Sequence, residues 1–217
     1  MVIAIDGPAG SGKSTIAREL AKQLRFQYVD SGALYRAVTF KALRDKVDLH
    51  DEAELSRLFH DMDLTQTFED GKVRVFNQGE DVTEEIRSPE VNAVVSIAAA
   101  QTSIRYHVTA LLHVWGSGGN IVVEGRDIGT FVFPNADYKF YIVASPRIRA
   151  ERRFNELKEI GYDGTIDVVE KSIIERDQLD KTRKLAPLKI AKDAEVIDTS
   201  HMNIEQVINH IRQRIGR

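Results

Sequence analysis

Residues 2–14 read VIAIDGPAGSGKS, and this stretch decides the fold. Val2–Asp6 is an apolar run of the right length for one buried strand. Ile16, Ala17, Leu20, Ala21 and Leu24 recur at helical spacing, which predicts a helix from Lys13 to Leu24. Between strand and helix, Gly7, Gly12, Lys13 and Ser14 fit G-x-x-x-x-G-K-[ST], with Thr15 behind. Glycine lets backbone N–H groups turn toward phosphate oxygens with no Cβ in the way. The helix start adds the positive end of its dipole. Residues Gly7, Pro8, Ala9, Gly10, Ser11, Gly12, Lys13, Ser14 and Thr15 are therefore expected to cradle a nucleoside triphosphate, with Lys13 on its β- and γ-phosphates. The Ser14 hydroxyl is the expected ligand of Mg2+.

Outward from this loop the strand–loop–helix alternation continues. Gln27–Asp30 reads as a second strand, and Ser31 as the cap of a helix through Tyr35 to about Leu43. Strands are expected at 120–124, 138–143 and 194–198, and helices at 91–100, 104–114, 146–160, 166–183 and 204–215. Such alternation predicts a parallel sheet with crossover helices, an α/β fold. Residues 64–83 differ: an Asp70-Gly71 turn sits between two alternating stretches, and a second turn covers 77–80. A small antiparallel insertion is expected there, with helices on its flanks.

The 217 residues carry a formal net charge of -3, which argues against a globally basic nucleic-acid surface. The chain has no cysteine, which excludes disulfides, thiol catalysis and cysteine-ligated zinc. No apolar run approaches the roughly 20 residues of a membrane helix, and the opening MVIAI is too short for a signal-peptide core. A soluble cytoplasmic protein is expected, with no membrane or nucleic-acid partner.

Arginines gather where expected strands end. DSGALYR closes on Arg36, and GRDIGT carries Arg126 and Asp127. Ligands of open α/β sheets collect at the carboxyl ends of strands, so both loops face the phosphate loop. Arg176, Asp180 and Arg183 fall at i, i+4 and i+7 on one helical face. On an isolated helix they would read as a solvated ion pair; beside a phosphate loop they read as a phosphate site. Arg147, Arg149, Arg152 and Arg153 crowd SPRIRAERRFNELKEIGYDG, with Gly161 and Gly164 as hinge points. A lid that closes over the triphosphate would exclude water from phosphoryl transfer.

In order, IAIDGPAGSGKST, DSGALYRAV, EEIRSPEV with VVSIAA, EGRDIGTFVFPNADYKFY, RAERRFNEL and RDQLDKTRKLAPL cover nearly the whole chain. Together they resemble bacterial-type cytidylate kinases, which are nucleoside monophosphate kinases. The resemblance implies a P-loop fold with a five-stranded parallel core, a monophosphate-binding insertion bearing a small antiparallel sheet, and a helical lid. It implies a core at about 1–30, 86–145 and 184–217, a monophosphate region at 31–85 with a hairpin insertion at 63–85, and a lid at about 146–166. It further implies transfer of phosphate from ATP to CMP and dCMP, by a monomer. Ser31, Arg36, Arg126, Arg176, Asp180 and Arg183 would hold the phosphate and ribose. Ser96, Arg105 and Asp127 would read the cytosine, while Lys13, Arg126, Arg149 and Arg153 would act on the moving phosphoryl group.

Two departures stand out. Leu112 and His113 occupy positions where the family often has Gln-Arg, and Glu124 stands where relatives often have aspartate. No Walker-B aspartate is evident; Asp30 is the candidate for the outer shell of the magnesium. The competing readings are a kinase for another small acceptor such as UMP, and a nucleotide switch; the switch would need an N-K-x-D base motif, which the chain lacks.

Overall fold

In the computed structural model, residues 1–69, 71–159 and 161–216 are described. Five strands, β1 (Val2–Asp6), β2 (Gln27–Asp30), β6 (Ile121–Gly125), β7 (Tyr138–Val143) and β8 (Glu195–Asp198), form one sheet in the order β2-β6-β1-β7-β8. All neighbours are parallel. The three inner strands, β1, β6 and β7, are largely apolar because helices cover both faces of such a sheet. Ile3, Ala4, Ile5, Val122, Val123 and Ile142 are buried at its centre.

Helix α1 (Lys13–Leu24) and strand β2 match their predicted bounds. Helix α2 (Ser31–Arg44) starts where expected, but its cap differs: Asp30 caps it, accepting from Ala33 N at 3.0 Å. The Ser31 hydroxyl instead donates to the Glu124 carbonyl at 2.6 Å, so it ties α2 to β6. Helix α3 (Glu52–His60) then leads to an antiparallel sheet of β3 (Leu64–Glu69), β4 (Lys72–Asn77) and β5 (Glu80–Asp81). Asp70 of the predicted hairpin turn lies outside the described residues; Gly71 beside it has φ 74°. Gln66 binds this sheet to the end of β2, its Oε1 accepting from Asp30 N at 3.0 Å.

Helices α4 (Pro89–Ala98) and α5 (Thr102–Gly116) precede β6. Leu112 fills the core, and His113 donates from Nε2 to the Val132 carbonyl at 2.5 Å. After β6 the loop winds one π-helical turn at Ile128–Val132. Helices α6 (Pro146–Glu159) and α7 (Ile166–Thr182) follow β7, and α8 (Ile204–Arg214) closes the chain. Ile160, expected in α6, lies outside the described residues. Helices α6 and α7 carry their own small core of Ala150, Val169 and Ile173, flanked by Phe154, Leu157, Tyr162 and Ile166. A satellite cluster of this kind can move without disturbing the main core.

Candidate active site

The chain leaves β1 toward β2 and leaves β6 toward β7, on opposite sides. The crevice between β1 and β6 is thus the topological switch point, the place where open α/β sheets bind ligands. The loop after β1 is the glycine-rich stretch. A Cβ on Gly7 would stand 2.2 Å from the Ile142 carbonyl oxygen, so only glycine fits against β7 there. Gly12 caps α1 with φ 89° and offers no side chain to the first-turn N–H groups. Those donors are left for an anion.

Lys13 is buried, and its ammonium donates to the Pro8 carbonyl at 3.0 Å. Burial pulls its pKa down to about 7; Arg126 and Arg176 add to this, against Glu124 and Asp30. The Ser11 hydroxyl is buried without a hydrogen-bond partner among the described residues. Ser14 lies in the first turn of α1, where its hydroxyl would fit a magnesium ion carried in with phosphates. Asp30 is occupied as the cap of α2.

The loop is braced from behind. Ala9 N donates to Asp177 Oδ1 at 3.1 Å, and Arg149 donates to Ala9 O at 2.8 Å and to Asp177 Oδ2 at 2.6 Å. Arg152 reaches Ser11 O at 3.2 Å and Thr199 O at 2.8 Å. Of the expected lid arginines, Arg149 is therefore buried against the outside of the loop. Arg153 is half-buried, with Glu156 at 2.9 Å. Asp177 was not legible as part of the site: it bonds to a main-chain amide 168 residues away.

Across the crevice stand the other arginines. Arg126 Nε donates to Asp180 Oδ2 at 3.0 Å, and Arg183 lies 3.7 Å from Asp180 Oδ1. Asp180 thus pairs with these two rather than with Arg176 one turn before it. Arg183 is not on the helical face predicted for it: it follows α7 with extended backbone and reaches back. Burial opposes ionisation of Asp180, but Arg126, Arg183 and Arg176 outweigh it and hold its carboxyl below the usual range. Burial, with Arg126 and Arg36 close by, brings Arg176 down to about 9. Arg36 sits near Asp30 and bonds Asn92 Oδ1 at 3.4 Å. Positive charge is in excess here, as an anion site requires.

Arg105 is fully buried. Its NH1 donates to Ala99 O at 3.0 Å and its NH2 to Asp127 Oδ2. The rings of Tyr35 and Phe131 stand 5.3 and 5.7 Å from its guanidinium carbon. Ser96, half-buried on α4, belongs to the helix preceding this pocket. The Nε atoms of Arg105, Arg176 and Arg183 and the Tyr35 hydroxyl are all buried without partners among the described residues. Orphaned donors of this kind are rare unless a ligand uses them.

The profile of the cytidylate kinase family matches residues 3–217. The chain belongs to the cytidylate kinase family. It is 50% identical over 215 residues to a cytidylate kinase of Pelotomaculum thermopropionicum, covering 99% of this chain and 95% of that protein. A cytidylate kinase of Listeria monocytogenes is 49% identical over 96% of this chain and 93% of its own length. Among solved structures, a shikimate kinase from Bacteroides thetaiotaomicron superposes with a TM-score of 0.51 at 15% identity, over 100% of this chain and 99% of that one. An uncharacterised protein from Eubacterium ventriosum gives a TM-score of 0.53 at 10% identity, over 100% and 98%. Those two likenesses speak for the fold alone. Membership of the family accounts for the ordered motifs, from the phosphate loop to RDQLDKTRKLAPL. Among the described residues, no helix is long and apolar enough to cross a membrane.

Proposed function

We propose that this protein transfers the γ-phosphoryl group of ATP directly to CMP or dCMP, giving ADP and the diphosphate. The observation that carries this reading is a set of buried donors without hydrogen-bond partners among the described residues: Ser11 Oγ in the phosphate loop, and the Nε atoms of Arg105, Arg176 and Arg183 among the residues read as the acceptor site. On this reading Gly7–Thr15 hold the triphosphate, and Ser14 would hold magnesium, which neutralises charge on the β- and γ-phosphates.

Ser31, Arg36, Arg126, Arg176, Asp180 and Arg183 take the acceptor phosphate and ribose. Ser96, Arg105 and Asp127 read the base. Cytosine offers an N4 amine beside the N3 and O2 acceptors, so a carboxylate and a guanidinium complement it; uracil would set O4 against the carboxylate. Lys13 and Arg126 neutralise the moving phosphoryl group, joined by Arg153 as α6 and α7 close. Residues 146–166 act as the lid and 31–85 as the monophosphate-binding region, within a monomer of the cytoplasm. Arg149 acts by setting the phosphate loop.

A coupled ADP-release assay across CMP, dCMP, UMP, AMP and GMP tests the reading. Turnover confined to CMP and dCMP supports it; equal turnover of UMP, or ADP release with no acceptor present, contradicts it.

A further inference from the structure

The pairing of β1 with β6 ends at Asp6 opposite Gly125. Beyond that point the backbones part, β1 into the phosphate loop and β6 into Arg126 and Asp127. The Asp6 carboxylate bridges the gap. Its Oδ1 accepts from Ile128 N at 2.8 Å and its Oδ2 from Gly129 N at 2.7 Å. These N–H groups open the π-helical turn whose far end folds back on the Asp127 carbonyl, which accepts from Phe131 N at 2.8 Å and Val132 N at 3.1 Å. Arg126 and Asp127 are thus pinned on both sides: by strand pairing at Gly125, and by one carboxylate at Ile128 and Gly129.

We propose that Asp6 is a positioning residue for the acceptor: it fixes the Arg126–Asp127 loop across the switch point and so sets acceptor affinity and base choice without touching the acceptor. This rests on the reading of Arg126 and Asp127 as acceptor-binding residues. An apolar residue would be the ordinary occupant of this central strand position, and it would leave both amides unpaired. The carboxylate is kept there at a cost. Burial raises the Asp6 pKa to about 7, with Asp127 pushing the same way, while the Gly129 and Ile128 amides and Lys13 oppose it. On β7, Tyr141 also faces it. Lys139 passes the same loop, but its ammonium is bound to Pro134 O and Asp193.

The sign of the cost separates this role from a merely structural one. The group binds its proton more tightly in the fold than in the unfolded chain, so its charge lowers stability as pH rises from 3.8 to about 7. Above that window the penalty is complete. Asp6→Asn escapes it, but its amide can accept from only one of the two N–H groups.

The test is steady-state kinetics of wild type and Asp6→Asn at pH 8, varying each substrate in turn, with Tm measured on both. The expected result is a KM for CMP raised on the order of tenfold, a smaller CMP-to-UMP ratio, an ATP KM within about twofold, and no fall in Tm. An unchanged CMP KM and ratio would overturn the proposal, as would equal losses for both substrates with a lower Tm. Gly129→Ala probes the junction from the other side, and decides the matter if Asp6→Asn does not fold. Its Cβ would stand 3.1 Å from Lys139 Cδ and 3.4 Å from Asp6 Oδ2. A smaller rise in CMP KM with ATP KM unmoved is expected; no change overturns the proposal. If wild type proves to use another monophosphate, the cytosine reading fails by itself, and the same split in KM is read on that acceptor.

Discussion

Arg105 and Asp127 are bound to each other inside the protein, with side chains 0% and 5% exposed. The bond uses Asp127 Oδ2 and one Arg105 nitrogen, and Arg105 Nε has no hydrogen-bond partner among the described residues. On the proposed reading, cytosine meets a preformed pair with one donor and one carboxylate oxygen still to satisfy. Asp127→Asn is therefore expected to narrow the CMP-to-UMP ratio in kcat/KM, since an amide can donate to uracil O4. It also strips a buried arginine of its counter-charge, so stability should fall by roughly 3–5 kcal/mol. Paired denaturation and kinetic measurements check both; an unchanged ratio removes Asp127 from base reading.

Arg126 stands next door and faces Asp180. Arg126→Ala is expected to depress CMP and UMP turnover together and leave their ratio alone. A change confined to one base would move Arg126 out of the phosphate site.

Lys13→Met keeps the aliphatic stem and deletes the charge that, on the proposed reading, meets the triphosphate. Loss of one preorganised electrostatic contact costs about 3–4 kcal/mol, so kcat should fall on the order of a hundredfold or more with the fold retained. Near-normal kcat in the folded variant would exclude Lys13 from the chemistry.

The two arginines expected in the lid should separate. Arg149 is buried on Asp177, so Arg149→Ala leaves a buried carboxylate unpaired; a clear fall in Tm and a raised ATP KM are expected. Arg153 is half-buried in a solvated pair with Glu156, so Arg153→Ala should leave Tm nearly unmoved while lowering kcat. If Arg153→Ala keeps wild-type kcat, the closing charge comes from another residue.

Much of this was legible in the sequence. Strands Val2–Asp6 and Tyr138–Val143 declare themselves because a strand covered on both faces is largely apolar. The phosphate loop declares itself because close approach to Ile142 and a positive φ at Gly12 demand glycine. What stayed hidden are bonds from side chains to distant main chain. Asp6 and Asp177 serve amides 122 and 168 residues away, and no periodicity marks such an acceptor. Asp177 also lies in a charged helix, where it reads as a solvated residue. Asp30 and Ser31 are both competent caps; Asp30 accepts from the first turn, while the Ser31 hydroxyl turns to donate to the Glu124 carbonyl.

The central claim is a kinase whose acceptor pocket is built for cytosine. It is tested most directly by wild-type kcat/KM for CMP and for UMP in one assay with saturating ATP and magnesium. A polar pocket that leaves buried groups unpaired with the wrong base should favour CMP on the order of a hundredfold or more. Equal values for the two nucleotides would contradict it.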